Sequence, residues 1–180
     1  MTSDPGHSNV DGQRRDGLFR DELVALIPQL RAFARTLCGE AAAADDLAQD
    51  AMLKAWDARN SFELGTNMKA WTFMILRNQF YSERRRSWRQ SQLDQEVAER
   101  TLVAVDDPEA PVALDELRQG LAMLPAEQRE ALILVGAGGF AYEEAAAICE
   151  CAVGTVKSRL SAALRKLRER FTEESSHVGA

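Results

Sequence analysis

The segment that most constrains the fold is residues 142–167, whose pattern predicts two helices separated by a short turn. Its first part, residues 142–149, is rich in alanine, so that a second helix can cross it closely. Gly138 and Gly139 precede it and predict the end of an earlier helix. The second predicted helix has apolar side chains at intervals that place them on one narrow stripe: Val153, Val156, Leu160, Leu164, Leu167 and Phe171.

The opposite side of this second helix carries small and cationic groups. Over residues 153–170, six lysines and arginines accompany one glutamate, a net charge of +5 in a chain whose net charge is −6. Hydroxyls and long cations can contact base edges and phosphates, so the pattern favours a DNA-binding helix-turn-helix over an ordinary amphipathic surface helix. Pointing away from the stripe are Thr155, Ser158, Ala162 and Arg165, with Lys157 and Arg159 on its flanks.

Composition predicts an all-α protein. The 180 residues allow one ordinary domain or two small ones, and 46% are hydrophobic but only 7% aromatic. No run of residues alternates between apolar and polar side chains as a β-strand does. The apolar runs are far shorter than the roughly 18–20 residues of a membrane span. Without a signal segment or a span, we expect a cytoplasmic protein that is not inserted in a membrane.

The sequence offers little for catalysis or metal binding. Three cysteines are too few for a disulfide scaffold, and Cys149 and Cys151 have no nearby partners to complete a metal site. Both histidines lie in predicted tails, and there is no glycine-rich phosphate loop. We therefore expect no enzyme activity, no catalytic residue, no metal and no cofactor.

Charge and composition divide the chain into segments. Residues 91–117 carry a net charge of −7, whereas residues 77–90 carry +4. Two basic segments therefore flank an acidic one that contains Pro108 and Pro111. We expect a disordered tail at 1–17, a helical domain at 18–90, an acidic linker at 91–113, a second helical domain at 114–173 and a tail at 174–180.

Two predicted helices of the first domain are candidates for binding. In residues 42–58, Asp46, Gln49, Asp50, Leu53 and Trp56 fall opposite an alanine-rich face, which indicates either a partner surface or a helix buried on both sides. The helix that begins near residue 68 mixes aromatic rings with arginines, the combination that single-stranded nucleic acid requires, and a loop with Gly65 precedes it. The alternative is that its aromatic residues form core and its arginines a solvated end.

The order of these segments resembles the extracytoplasmic-function sigma factors of bacterial RNA polymerase. The resemblance covers about residues 18–171 and rests on DDLAQDAMLKAW, AWTFMILRN with its arginine run, LPAEQREALIL and VGTVKSRL. The stretches FRDELVALIPQLRAFARTLCG, GTNMKAW and EALILVGAGGFAYEEAAAICECAVGTVKSR are similar to the EcfG-type subgroup, the general stress response sigma factors of alphaproteobacteria.

This resemblance implies partners and roles. Asp46, Gln49, Asp50 and Leu53 would contact the clamp helices of the largest subunit of core RNA polymerase. Promoter DNA would be the second partner, and a NepR-like anti-sigma factor would hold the protein inactive. The −10 element would be recognised and held open by the loop 61–67 and by the helix that follows, through Ser61, Asn67, Lys69, Trp71, Arg77, Asn78, Arg84, Arg85 and Arg86. The −35 element would be recognised as duplex by Thr155, Lys157, Ser158, Arg159, Ser161 and Arg165.

The chain departs from many relatives at Ala162, where they carry a long basic or polar residue. Two other classes of binding protein compete with a sigma factor. A sigma-like decoy that titrates an anti-sigma factor would be fused to a receiver domain, for which we expect no room before Ala180. It would also not need both basic segments. A one-component regulator would require a polar ligand pocket in its first domain, where this sequence has arginines and a partner-like helix face.

Overall fold

The computed structural model describes residues 6–91 and 112–177, with side chains described from residue 12 to 90 and from 116 to 172. Residues 92–111, most of the predicted linker at 91–113, lie outside these residues, as do residues 178–180 of the predicted tail at 174–180. Within the described ranges every regular element is helical, which confirms the predicted all-α class. None of the described helices is long and apolar enough to cross a membrane.

The first unit of the fold comprises four helices. They are α1 (Gly6–Ala25), α2 (Ile27–Cys38), α3 (Ala41–Asp57) and α4 (Met68–Ser91). The chain bends at Leu26 between α1 and α2, because Pro28 in the first turn of α2 has no N–H to donate to a preceding helix. Gly39 ends α2 with a φ of 79°, a conformation that glycine adopts without steric cost. Helix α3 packs against both α2 and α4.

The expectation of a disordered tail at 1–17 is wrong from Gly6 onward, where α1 begins. Phe19, which is 2% exposed, anchors α1 in the core. Two charged residues of the expected tail bond to the turn that follows α3: Arg15 Nη2 donates to the Phe62 carbonyl at 2.9 Å, and Asp16 accepts from Arg59 at 3.2 Å. Composition alone missed this helix because its contacts are polar and distant in sequence.

The second unit is built from α5 (Val112–Ala122), α6 (Ala126–Leu132), α7 (Tyr142–Ile148) and α8 (Val153–His177). Pro125 stands just before α6, and its fixed φ suits the first turn of a helix. Helix α6 continues into a wider π-helical turn, Ile133–Ala137. The predicted helix-turn-helix is confirmed as α7 and α8.

The end of the π-helical turn requires glycine. A Cβ on Gly138 would lie 2.6 Å from the Leu134 carbonyl oxygen, closer than real Cβ atoms approach, and 3.0 Å from the Phe140 ring. Gly139 has a φ of 69°. These two glycines reverse the chain between α6 and α7, and they bring Phe140 back into the core, where it is 5% exposed.

One hydrophobic core joins the two units. Phe73 of α4 stacks on Phe33 of α2, with ring centroids 4.9 Å apart, and meets Phe140 of the second unit edge to face at 5.0 Å. Helix α4 also packs along α7, and α2 contacts α6. The sequence predicted two helical domains on a tether, but it did not predict that they would share a core.

Helix α8 is rotated slightly from its predicted orientation. Val156 and Ala163 are fully buried, whereas Leu164 of the predicted apolar stripe is 38% exposed. Because Ala163 has no side chain beyond Cβ, a neighbouring element can lie close to α8 at this point. The stripe therefore passes through Ala163 and leaves Leu164 at its edge.

Candidate nucleic-acid interface

The candidate partner surface on α3 faces outward. Asp46, Gln49, Asp50 and Leu53 are all exposed, and Leu53 is a large apolar side chain with 63% exposure. The opposite face supplies the buried residues of the helix, so the alternative of a helix buried on both sides is wrong for these four positions. An exposed leucine among acids and an amide is typical of a surface that binds a protein partner.

Trp56, which the sequence placed on the same face, is partly buried. Its ring lies 6.1 Å from that of Phe19, and the Arg59 guanidinium covers it at 4.6 Å. It belongs to the packing between α1 and α3. The exposed partner surface therefore ends at Leu53.

A buried amide holds Asp50 in place. Gln79 of α4 is 5% exposed, and its Nε2 donates to Asp50 Oδ2 at 3.0 Å and to Glu83 at 2.9 Å. The Asp50 carboxylate is thus oriented from beneath while remaining open to solvent. This contact links the candidate partner surface on α3 to α4.

The loop before α4 is ordered by its own polar side chains. Asn67 Oδ1 accepts from the Ala70 N–H at 2.9 Å and so caps the first turn of α4. Ser61 is exposed, and its hydroxyl donates to the Ala58 carbonyl at 2.7 Å. Gly65 has a φ of 90°, which allows the loop to turn between these two residues.

Trp71 packs beneath this loop. Its ring lies 4.9 Å from Phe62 and 6.1 Å from Phe19, within the smaller of the two hydrophobic clusters. It is only partly exposed, so most of the ring faces protein. Among the residues predicted for −10 DNA, Trp71 therefore supports the loop from below.

Four of the residues predicted for −10 DNA donate hydrogen bonds to the second unit. The four contacts run along one face of α4 and the loop before it. They join Asn67 to Glu144, Lys69 to the Gly138 carbonyl at 2.6 Å, Arg77 to Glu130 at 2.7 Å, and Asn78 to Glu150 at 2.9 Å.

The Arg77–Glu130 pair is the most buried of these contacts. The Glu130 side chain is fully buried, that of Arg77 is 12% exposed, and Tyr81 adds a weak hydrogen bond to Glu130 at 3.4 Å. Burial raises the pKa of Glu130, because the loss of hydration outweighs the attraction of Arg77. Burial, with the Glu130 charge in second place, also raises the pKa of Tyr81 to about 12.

The arginine run near the end of α4 lies apart from these contacts. Arg84, Arg85 and Arg86 are exposed, and Arg84 lies over the Phe80 ring at 5.6 Å. Seven of the nine predicted −10 residues therefore form two groups. One group bonds to the second unit, and the other forms a cationic end that faces solvent.

The outward side of α8 carries the residues predicted for −35 DNA. Lys157, Ser158, Ser161 and Arg165 are exposed, whereas Thr155 and Arg159 are half-buried. The Lys157 ammonium lies 5.2 Å from the ring centre of Tyr142, the first residue of α7. This cation–π contact fixes the lysine at the start of α8, where recognition helices contact base edges.

The half-buried Arg159 lies against the turn between α7 and α8. It donates to the Cys151 sulfur at 3.8 Å, and Arg165 forms a loose pair with Glu169 at 3.9 Å. Cys149 is buried below the same turn, and burial raises its pKa to about 12. That thiol is a core residue, and no group of acids, histidines and cysteines in the described ranges could hold a metal ion.

Sequence reasoning missed the acceptors on the second unit: Glu130, Gly138, Glu144 and Glu150. The sequence contained one hint, because Glu150 lies in the turn of the helix-turn-helix. Such a turn needs left-handed backbone, and Glu150 has a φ of 52° there. Glu130 gave no signal, since a glutamate on a short helix is ordinarily solvated.

Comparison with known proteins places this geometry in a family. The Sigma-70 region 2 model matches residues 23–90, and the Sigma-70, region 4 model matches residues 114–167. The chain is 49% identical over 149 residues to the ECF RNA polymerase sigma factor EcfG of Rhodopseudomonas palustris, covering 83% of this chain and 82% of that protein. It is 32% identical over 139 residues to the ECF RNA polymerase sigma factor SigL of Mycobacterium tuberculosis, covering 76% of this chain and 78% of that protein.

A solved structure agrees with these relatives. The sigma factor RpoE of Bartonella quintana, in complex with the anti-sigma factor NepR, superposes with a TM-score of 0.75 at 46% identity. The superposition covers 86% of this chain and 96% of that one. With both sigma regions matched and two-thirds or more of each of these relatives covered, the chain belongs to the extracytoplasmic-function RNA polymerase sigma factors of the sigma-70 family.

Proposed function

We propose that this sigma factor carries core RNA polymerase to promoters of the general stress response through three separate surfaces. The observation that carries the proposal is their placement: an exposed acidic and apolar face on α3, a polar face on α4 with its loop, and a cationic outward side on α8. The chain acts by binding and contributes no catalytic group of its own. We assign it to the cytoplasm, where the polymerase is found.

The surface for the polymerase is Asp46, Gln49, Asp50 and Leu53. An exposed leucine supplies apolar area, and the acids around it select a basic partner surface. The hydrogen bond from Gln79 sets the Asp50 carboxylate in one orientation before the partner arrives. Such preorganisation lowers the entropic cost of binding.

The two DNA surfaces suit different forms of DNA. Helix α8 presents Lys157, Ser158 and Ser161 on a rigid, continuous helix, which suits the major groove of duplex −35 DNA. Helix α4 and the loop 61–67 offer amide and cationic donors beside a turn at Gly65, which suits unpaired bases of a melted −10 element. At Ala162, α8 offers only a methyl group for contact with a base.

The proposed regulatory partner is a NepR-like anti-sigma factor. This part of the proposal is supported by the RpoE–NepR complex, whose sigma factor is 46% identical to this chain. Large apolar side chains at Leu18, Val24, Leu117 and Met123 are exposed on the two units, which gives an anti-sigma factor apolar area to cover.

The test is transcription in vitro from a library of genomic fragments, with core polymerase of Rhodopseudomonas palustris, with and without this chain. We expect a small set of transcripts that depend on the chain and that share two sequence elements upstream of their starts. Purified NepR from Bartonella quintana should suppress them. If the chain were a sigma-like decoy, it would bind NepR but no transcript would depend on its presence.

A further inference from the structure

The loop before α4 is attached to α1 where it begins. Arg15 Nη2 of α1 donates to the Phe62 carbonyl at 2.9 Å. The next residue of α1, Asp16, accepts at 3.2 Å from Arg59 Nε, in the short 3₁₀ turn that leads into the loop. The two contacts therefore lie on either side of Ser61, a residue that the proposed function assigns to −10 DNA.

An apolar contact from α1 lies under the same loop. The Phe19 ring is 2% exposed, and its centre lies 5.7 Å from that of Phe62 and 6.1 Å from that of Trp71. Phe62 stands at the start of the loop, and Trp71 stands in the first turn of α4, just after the loop ends. Helix α1 therefore supports the loop near both of its ends.

The tip of the loop is a turn closed on itself. The Glu63 carbonyl accepts from the N–H of Thr66 at 3.2 Å and from its hydroxyl at 2.7 Å. A Cβ on Gly65 would meet nothing within 4 Å beyond its chain neighbours, so the tip projects into open space. Its position is set by its two ends, which are Phe62 on α1 and Asn67 as the cap of α4.

We propose that Arg15 and Asp16 are positioning residues for −10 recognition, which set the base preference of the loop 61–67 without touching DNA. The inference rests on the proposed function of that loop. Both residues precede residue 23, where the match to sigma region 2 begins. Base recognition requires donors and acceptors at fixed spacing, and a displacement of about 1 Å weakens it severely. Without the α1 contacts the start of the loop can shift, so discrimination between bases falls.

The competing role for Arg15 is a direct contact with a DNA phosphate. The residue is exposed, and long cations bind phosphates without regard to sequence. The hydrogen bond to the Phe62 carbonyl favours the positioning role, because it directs the guanidinium at the loop backbone. The two roles give different results. A phosphate contact contributes about equally at every promoter and adds to the salt dependence, whereas a positioning residue changes preference only at the bases that the loop contacts.

The experiment measures base preference of the holoenzyme at every −10 and −35 position. Full-length variants with core polymerase of Rhodopseudomonas palustris transcribe one promoter from the genomic library in all its single substitutions. The test variant is Arg15→Ala with Asp16→Ala. The matched control is Arg20→Ala with Asp21→Ala, which removes an exposed arginine and aspartate from the same helix. A third variant, Asn67→Ser, tests the loop directly, because serine keeps a cap on α4 and removes the amide.

We expect the test variant to lose about 3- to 10-fold of its discrimination at one or two −10 positions, with −35 preference unchanged. Arg15→Lys should keep most of the discrimination, since an ammonium can still donate to the carbonyl. The control should match wild type at every position, and Asn67→Ser should lose −10 discrimination. Circular dichroism checks the folding of each chain. Should the double change impair folding, Arg15→Ala alone carries the same expectation.

Gel shifts of the polymerase complexes at several salt concentrations complete the test. A uniform loss at every promoter, with a salt slope reduced by about one, would overturn the inference and assign Arg15 to a phosphate. Unchanged −10 preference in the test variant, together with an altered preference in Asn67→Ser, would overturn the inference and leave the loop in its proposed role. Unchanged preference in both variants would be a failure of the proposed function of the loop, and the positioning role would fall with it.

Discussion

Arg77 of α4 donates to Glu130 of α6 at 2.7 Å, across the boundary between sigma regions 2 and 4. Neither side chain can be treated as a surface charge, since that of Glu130 is fully buried and that of Arg77 is 12% exposed. Breaking a buried pair by removing one partner typically costs about 3–5 kcal/mol, because the other charge is left without compensation. The pair therefore couples the stability of the second region to the first.

This pair makes stability depend on pH. The raised pKa of Glu130 means that the native state holds its proton more tightly than the unfolded chain does. The stability that this proton contributes is complete below the ordinary glutamate value of 4.5 and is lost as pH rises through the raised pKa. We expect the unfolding free energy of wild type, relative to Glu130→Gln, to fall as pH rises above about 4.5 and through the raised pKa of Glu130.

Urea unfolding of both proteins over this range measures the difference. The groups around Glu130 keep their protonation there, because Arg77 has a raised pKa and burial raises the pKa of Tyr81 and Cys149 to about 12. Subtracting the variant removes the titrations elsewhere in the chain. A difference that increased with pH would show that Arg77 outweighs the desolvation of Glu130.

The glycine at the end of the π-helical turn should tolerate no side chain. Gly138→Ala places a Cβ 2.6 Å from a backbone carbonyl, so that the turn or Phe140 must move, at a cost of about 1–3 kcal/mol. Gly136→Ala is the matched control, because its Cβ would have its nearest neighbour at 3.8 Å. Thermal unfolding should place Gly138→Ala several degrees below Gly136→Ala, and equal melting temperatures would contradict the close approach.

The exposed face of α3 should bind core polymerase. Asp50→Lys with Leu53→Ala reverses one charge and removes the exposed leucine, so the affinity for core should fall by at least about 10-fold, or about 1.4 kcal/mol. Glu22→Lys with Val24→Ala makes similar changes at exposed positions of α1. Competition with labelled wild type for core polymerase measures both. Equal competition by the α3 variant and wild type would make this face structural.

Lys157 should contribute to −35 specificity. Replacing it with alanine removes a cation held over Tyr142 at the start of α8, and should cost about 1–3 kcal/mol at one or two −35 positions. Lys166→Ala, an exposed cation farther along the same helix, should weaken binding without changing base preference. Transcription from promoters with every single −35 substitution separates the two effects. An unchanged preference profile for Lys157→Ala would exclude a base contact.

Local patterns predicted much of this fold. The spacing of apolar residues and the paired glycines placed α3, α4, α7 and α8 to within a few residues, because these signals act within one or two turns of chain. The alanine-rich face of α3 left two alternatives for the opposite side, a partner surface or a second buried face, and the exposure of Asp46 and Leu53 decides between them.

The errors came from contacts distant in sequence. Helix α1 extends to Gly6 although its composition is polar, because Phe19 and Arg15 bind residues beyond α3. Trp71, which the resemblance assigns to −10 DNA, packs on Phe62, and the spacing of aromatic residues on α4 could not show this because it does not identify what lies against a face. The pairing of α4 with Glu130 and Glu150 depends on how two helical units meet, which no local pattern encodes.

The central claim is that two helices share promoter recognition, α8 at the −35 element and α4 at the −10 element. Permanganate footprinting of −10 thymines, on a promoter from the genomic library, tests this claim most directly. Gel shifts of the same polymerase complexes report binding before opening. Holoenzyme with wild type, or with Gln29→Ala as an exposed amide control on α2, should make the −10 thymines reactive. Holoenzyme with Asn78→Ala should still shift the promoter but leave those thymines about 10-fold less reactive, because a donor to the melted strand is lost. Normal reactivity with Asn78→Ala would contradict the assignment of −10 recognition to the polar face of α4.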